Sequence, residues 1–72
     1  MTQISQYHVE INKLILIDYL EENHPNFHKE LIKSNQLEQV VEQRAKTYIT
    51  KLVESKHPEL DKEVFFQEMM TF

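Results

Sequence analysis

Residues 9–20 read Val-Glu-Ile-Asn-Lys-Leu-Ile-Leu-Ile-Asp-Tyr-Leu, and the way this stretch folds decides how the rest of the chain must be arranged. At about 100° of rotation per residue, Ile4, Tyr7, Ile11, Leu14 and Ile15 gather on one side of a helix. Val9, Leu16, Tyr19 and Leu20 gather on another, with Ile17 between them. The apolar run Leu14 to Ile17 would also suit a buried strand. The periodic segment around it is too long for an ordinary strand, however, and its flanks carry no Gly or Pro. A helix is therefore expected. A helix apolar on more than one side is normally packed on more than one side, so this one is expected at the centre, covered by later helices or by a second copy of the chain.

Composition narrows what can surround it. Seventy-two residues make one domain, and a unit of that size buries only about 60% of the surface its unfolded chain exposes. With no cysteine, disulfide staples and thiolate metal sites are both ruled out. Small unstapled scaffolds often gain stability by oligomerising. The chain has no glycine and two prolines, so a positive φ must fall on Asn or Asp. That disfavours tight hairpins, phosphate loops and dinucleotide-binding turns, and leaves an all-α domain with short connections. The formal net charge of −4 repels phosphate backbones and anionic lipid. No apolar run approaches the roughly 20 residues needed to span a bilayer, and the opening Met-Thr-Gln-Ile-Ser-Gln lacks the basic region of a secretory signal. A cytoplasmic protein with no membrane partner is the expectation.

Working outward, a first helix is expected from Ile4 or Ser5, capped by Thr2 or Ser5, to about Asn23. His24-Pro25 ends it, because the residue before a proline is pushed out of the α region. Asn26 is placed to cap a short second helix through Phe27, Leu31 and Ile32. Ser34-Asn35 interrupts, and Asn35 with Glu38 three positions on forms a candidate capping box, although whether the second and third helices are separate stays open. The third helix, about Gln36 to Ser55, sets Leu37, Val40, Val41, Ala45, Tyr48, Ile49 and Leu52 on one face. Glu38, Glu42, Arg44, Lys46 and Lys51 lie largely outside it. Lys56-His57-Pro58 repeats the earlier stop, and Asp61 is placed to cap a fourth helix carrying Val64, Phe65, Phe66, Met69, Met70 and Phe72.

The repetition is wider than the two His-Pro pairs. Leu20 to Leu31 aligns without a gap on Val53 to Val64, at an offset of 33 residues (57 − 24), with Glu, His, Pro, Lys and Glu identical. Such a period is typical of helix-turn-helix units. The match fits either an internal duplication or the general taste of helix connections for a proline in the first turn. Both readings predict two corners joining a long helix to a shorter one, with Phe27 and Leu60 folded back on the preceding long helix.

Few residues suggest chemistry. His24 and His28 have the four-residue spacing of a metal pair, but Pro25 breaks the helix between them, no third ligand is placed, and the matching pair in the second half is His57 and Asp61. No metal or cofactor is expected. Asp18 lies near the middle of the Ile4-Tyr7-Ile11-Leu14-Ile15 face, so it should pair with Arg44 or a lysine of the third helix, or mark where that face meets solvent. No nucleophile or second carboxylate is set beside it, and an enzyme is not expected. A DNA-reading third helix would need a continuous basic face, whereas Arg44, Lys46 and Lys51 alternate with Glu38, Glu42 and Glu54. The C-terminal cluster Phe65, Phe66, Met69, Met70 and Phe72 spreads over a wider arc than one flank of a small bundle needs. Met and Phe are adaptable interface residues. Together with Val9 and Leu16 of the first helix, this cluster is the expected interface, the alternative being that half of it closes the core.

Tyr7 in a helix leading to Leu20-x-Glu22-x-His24-Pro25, then Val41-x-x-Arg44-Ala45 with Tyr48 soon after and an acidic-apolar final helix, resembles a small all-helical bacterial family of uncharacterised function. A His-Pro corner stands here where that family has a glycine-containing turn before the last helix. The resemblance implies an all-α fold and no catalytic or binding residue. The expectation is thus a compact four-helix domain built around the first helix. Its expected role is that of a non-enzymatic interaction module, a homodimer or the binder of another protein, acting as adaptor or regulator. The alternative is a small DNA-associated regulatory or accessory protein.

Overall fold

The computed structural model describes residues 6–72. It has four helices, α1 (Gln6–Asn23), α2 (Pro25–Lys33), α3 (Leu37–Glu54) and α4 (Pro58–Met70), and no strand among the described residues. This is the expected all-α arrangement of two long helices, each turning at a His-Pro corner into a shorter one. The caps expected at Thr2 or Ser5 lie outside the described residues.

The corners are made by the prolines. Pro25 and Pro58 occupy the first turns of α2 and α4, where the missing N–H costs nothing and the fixed φ is already helical. The preceding histidines take nearly the same backbone, φ −136° and ψ 60° at His24 and φ −135° and ψ 65° at His57. Because the helices begin at the prolines, Asn26 and Asp61 fall inside the first turn and do not cap, contrary to expectation. Neither helix has a side-chain cap.

The link from α2 to α3 solves the missing-glycine problem. Asn35 takes the left-handed conformation, φ 59°, which Asn tolerates better than most residues. Its N–H donates to the Ile32 carbonyl at 3.0 Å, and the Gln36 N–H donates to the Leu31 carbonyl at 2.8 Å. This is the paired closure of a Schellman motif, and it separates α2 from α3. The capping box expected from Asn35 and Glu38 therefore does not form. Gln36 holds the N-cap position of α3 without a side-chain bond, and the Glu38 carboxylate accepts instead from Lys13.

The hub is α3 and not α1, which corrects the expected centre. α3 packs on all three other helices, whereas α1 meets chiefly α3 and α2. Three helices abreast at 8–10 Å between axes need about 22 Å, matching the middle dimension of the 38 × 22 × 14 Å body. A body 14 Å thick is too thin to wrap any helix on every side. The core draws Val9, Leu16 and Leu20 from α1, Leu31 from α2, Val41, Ala45, Tyr48 and Ile49 from α3, and Met69 from α4.

Two polar residues of α1 share that buried side. The Asn12 side-chain amide donates to the His8 carbonyl at 2.8 Å, so it brings no unmet donor into the core. Lys13, whose side chain is 7% exposed, reaches Glu10 at 3.3 Å and Glu38 of α3. The Glu38 hydrogen bond, aided by Glu10 and opposed by burial, raises the Lys13 pKa above its ordinary value. Burial likewise raises the Tyr48 phenol. Among the described residues, no helix is long and apolar enough to cross a membrane.

Candidate interaction surface

The residues expected to form an interface are largely spent inside the molecule. Val9 and Leu16 are fully buried, and Met69 nearly so. Phe65, Phe66, Met70 and Phe72 are partly buried and pack against the core. The wide arc of α4 finds cover because its pairs serve different neighbours. Phe66 meets the edge of Tyr48 at 5.8 Å between ring centroids, and Phe65 lies under Lys51 at 5.6 Å. Phe72 folds back beyond the helix to stack on Tyr19 at 6.5 Å and to meet Phe27 at 5.9 Å and His24 at 6.4 Å.

Arg44 holds that last turn in place. Its guanidinium sits 4.0 Å over the Phe72 ring. It donates to the carbonyls of Glu68, Met69 and Thr71, and the Glu68 carbonyl also accepts from the Thr71 N–H. Arg44 is thus unavailable to Asp18, which is exposed and takes the solvent-facing option.

The apolar surface left open is elsewhere. On α1, Ile11 and Ile15 are 38% and 37% exposed and Leu14 is 63% exposed. They occupy the helix side opposite Val9, Leu16 and Leu20. Glu10, Asp18, Glu21 and Glu22 are also exposed on that side. Ile15 further borders an open groove of about 390 Å³ between α1 and α4, floored by Tyr48, Ile49 and Leu52 of α3 and walled by Phe66 and Lys62 of α4. A second open stripe runs along α4 through Leu60 and Val64. Sequence reasoning had Ile11, Leu14 and Ile15 as a face to be covered by later helices or by a second copy, and took Val9 and Leu16 of the other side as interface residues, whereas Val9 and Leu16 are the buried ones. The signal that turns it outward was present in Asp18 at its middle and the glutamates beside it, because an unpaired carboxylate is costly to bury. Among the described residues, Asn12 and Lys13 are the polar ones buried on the inward side.

Among the described residues no group of three His, Cys, Asp or Glu side chains could hold a metal ion. The cations of α3 are already engaged, Arg44 by carbonyls, Lys46 by Glu42 at 3.5 Å and Lys51 by Glu68 at 3.2 Å. No family model, curated protein or solved structure matches this chain, so the functional reading rests on the geometry.

Proposed function

We propose that this chain is a non-enzymatic protein-interaction module that self-associates through the outer face of α1 and acts as an adaptor or regulator, by occupying a partner. One observation carries the reading. α1 is apolar on two sides, its own fold covers one, and the other leaves Leu14 63% exposed beside Ile11 and Ile15. A helix of 18 residues is about 27 Å long, enough for one helix-helix contact. Such a contact falls short of the roughly 800 Å² per partner of a standard stable interface, so the association belongs to the weak, reversible class.

Sedimentation velocity over a wide concentration range tests this. The native chain should pass from monomer to a larger species as concentration rises. Leu14→Glu should remain monomeric with a melting temperature close to that of the native chain, because an exposed position tolerates a charge. A native chain that stays monomeric at millimolar concentration would overturn the proposal.

A further inference from the structure

α4 is anchored at one end. Residues 56–60 and 62–64 are all exposed, and apart from Asp61 in the corner the buried and half-buried positions of the helix begin at Phe65. The ring and ion contacts that tie α4 to the other helices also fall beyond Val64, with Phe66 against Tyr48, Glu68 paired with Lys51, and Phe72 stacked on Tyr19. Arg44 of α3 closes the series, over the Phe72 ring and on the carbonyls of Glu68, Met69 and Thr71. Among the described residues α4 supplies one member of the buried core, Met69, and the remainder comes from α1, α2 and α3.

We infer that α4 is a hinged strap: it swings open about the second corner while α1, α2 and α3 stay packed, and Arg44 with Phe72 is the clasp that sets how often it opens. Elements with few buried apolar contacts are the ones that open below the free energy of global unfolding. The corner can serve as the hinge because its own bonds, from the Ser55 hydroxyl to Asp61 and from the His57 N–H to Ser55, run within residues 55–61. They make no demand on the far end of the helix. With 13 residues α4 is about 20 Å long, so freeing its C-terminal end lifts Phe66, Met69 and Met70 off the core together. The face that opens is rich in Met and Phe, the side chains of adaptable interfaces, and it uncovers Tyr48 of α3, which is buried in the closed form. This strap is independent of the self-association proposed above, which uses the outer face of α1.

Thiol labelling reads the opening, since the chain has no cysteine of its own. Met69→Cys places a thiol at the buried position of α4, and Val9→Cys places one at a fully buried position of α1. The Met69→Cys thiol should react at least about tenfold faster. It should respond little to low urea because the swing exposes little surface, whereas Val9→Cys should follow the steep urea dependence of global unfolding. Adding Arg44→Ala to Met69→Cys should raise its labelling rate at least about tenfold, through the loss of hydrogen bonds from a charged donor. The backbone amides of residues 66–70 in the native chain check that the cysteine itself does not free the strap. They should exchange with the same weak urea dependence, because a detached helix of this length is marginal in water. Equal labelling at the two sites, or amides at 66–70 that exchange only with global unfolding, would overturn the strap. Faster labelling at Met69→Cys that Arg44→Ala leaves unchanged would overturn the clasp.

Discussion

The two His-Pro corners share a sequence pattern and a backbone, yet they are held by different means. At the first, His24, Tyr19, Phe27 and Phe72 form an aromatic group, with Arg44 over Phe72. At the second, the Ser55 hydroxyl donates to Asp61 at 2.7 Å and accepts from the His57 N–H at 3.1 Å, while Leu60 is 76% exposed. Leu60 therefore does not fold back on the long helix as expected, and Phe27, still 38% exposed, meets the ring of Phe72. Ser55 also alters the repeat. α1 continues to Asn23, next to its corner histidine, whereas α3 stops at Glu54, because Ser55 offers the backbone a local alternative to the helix. The repeated pattern sets the backbone of the corner histidine, and what covers the corner depends on which distant segment arrives there.

Matched positions around the corners give the largest expected contrast. Leu20 is fully buried, and its counterpart Val53 is 44% exposed. Leu20→Ala should cost about 2–5 kcal/mol, a large share of the stability of so small a domain, whereas Val53→Ala should cost less than about 0.5 kcal/mol. Urea denaturation of both variants measures the difference, and equal losses would break the contrast. Phe72→Ala should come next. It removes a partly buried ring from the first corner at a cost of about 2 kcal/mol, and hydrogen exchange should quicken at residues 24–28 while residues 57–61 keep their native rates. Ser55→Ala should do the reverse, at about 1 kcal/mol, loosening the amide of His57 and sparing the first corner.

The smallest effect belongs to the middle of the molecule. Lys13 and Tyr48 both have pKa values raised in the folded state. Each therefore supports the fold fully below its ordinary value and loses that support as pH rises through the raised one. The melting temperature should hold steady from neutral pH to about 9 and fall above about 10, where unfolded lysine and tyrosine ionise. Lys13→Met should remove part of the alkaline fall. A fall of unchanged size in that variant would place its origin elsewhere.

Much of this could be read from the residues in order. Pro25 and Pro58 marked the breaks, the spacing of Val41, Ala45, Tyr48 and Ile49 marked the inner face of α3, and the absence of glycine pointed to Asn or Asp for positive φ, a role Asn35 fills. The caps were harder. Asn26, Asp61 and Asn35 are all good cap residues, but proline already supplies a helix start at two of these places, and Asn35 is committed to ending α2 instead of opening α3. Local preference names the candidates at a junction without saying which neighbour each will serve.

The face of α1 shows the same division more sharply. Its helix, its two apolar sides and the acids of Glu10, Asp18, Glu21 and Glu22 follow from periodicity and composition, which act over a few residues and need no fold to be seen. Which side turns inward, and that α3 and not α1 lies in the middle, came only with the tertiary arrangement. Burial is a property of the whole packed body: α1, α3 and α4 lie abreast in a slab 14 Å thick, so one side of α1 leaves Ile11, Leu14 and Ile15 exposed among the described residues. The same packing drew Phe65, Phe66, Met69, Met70 and Phe72 against the core, because Arg44 and the first corner hold the end of α4 where those side chains have something apolar to cover.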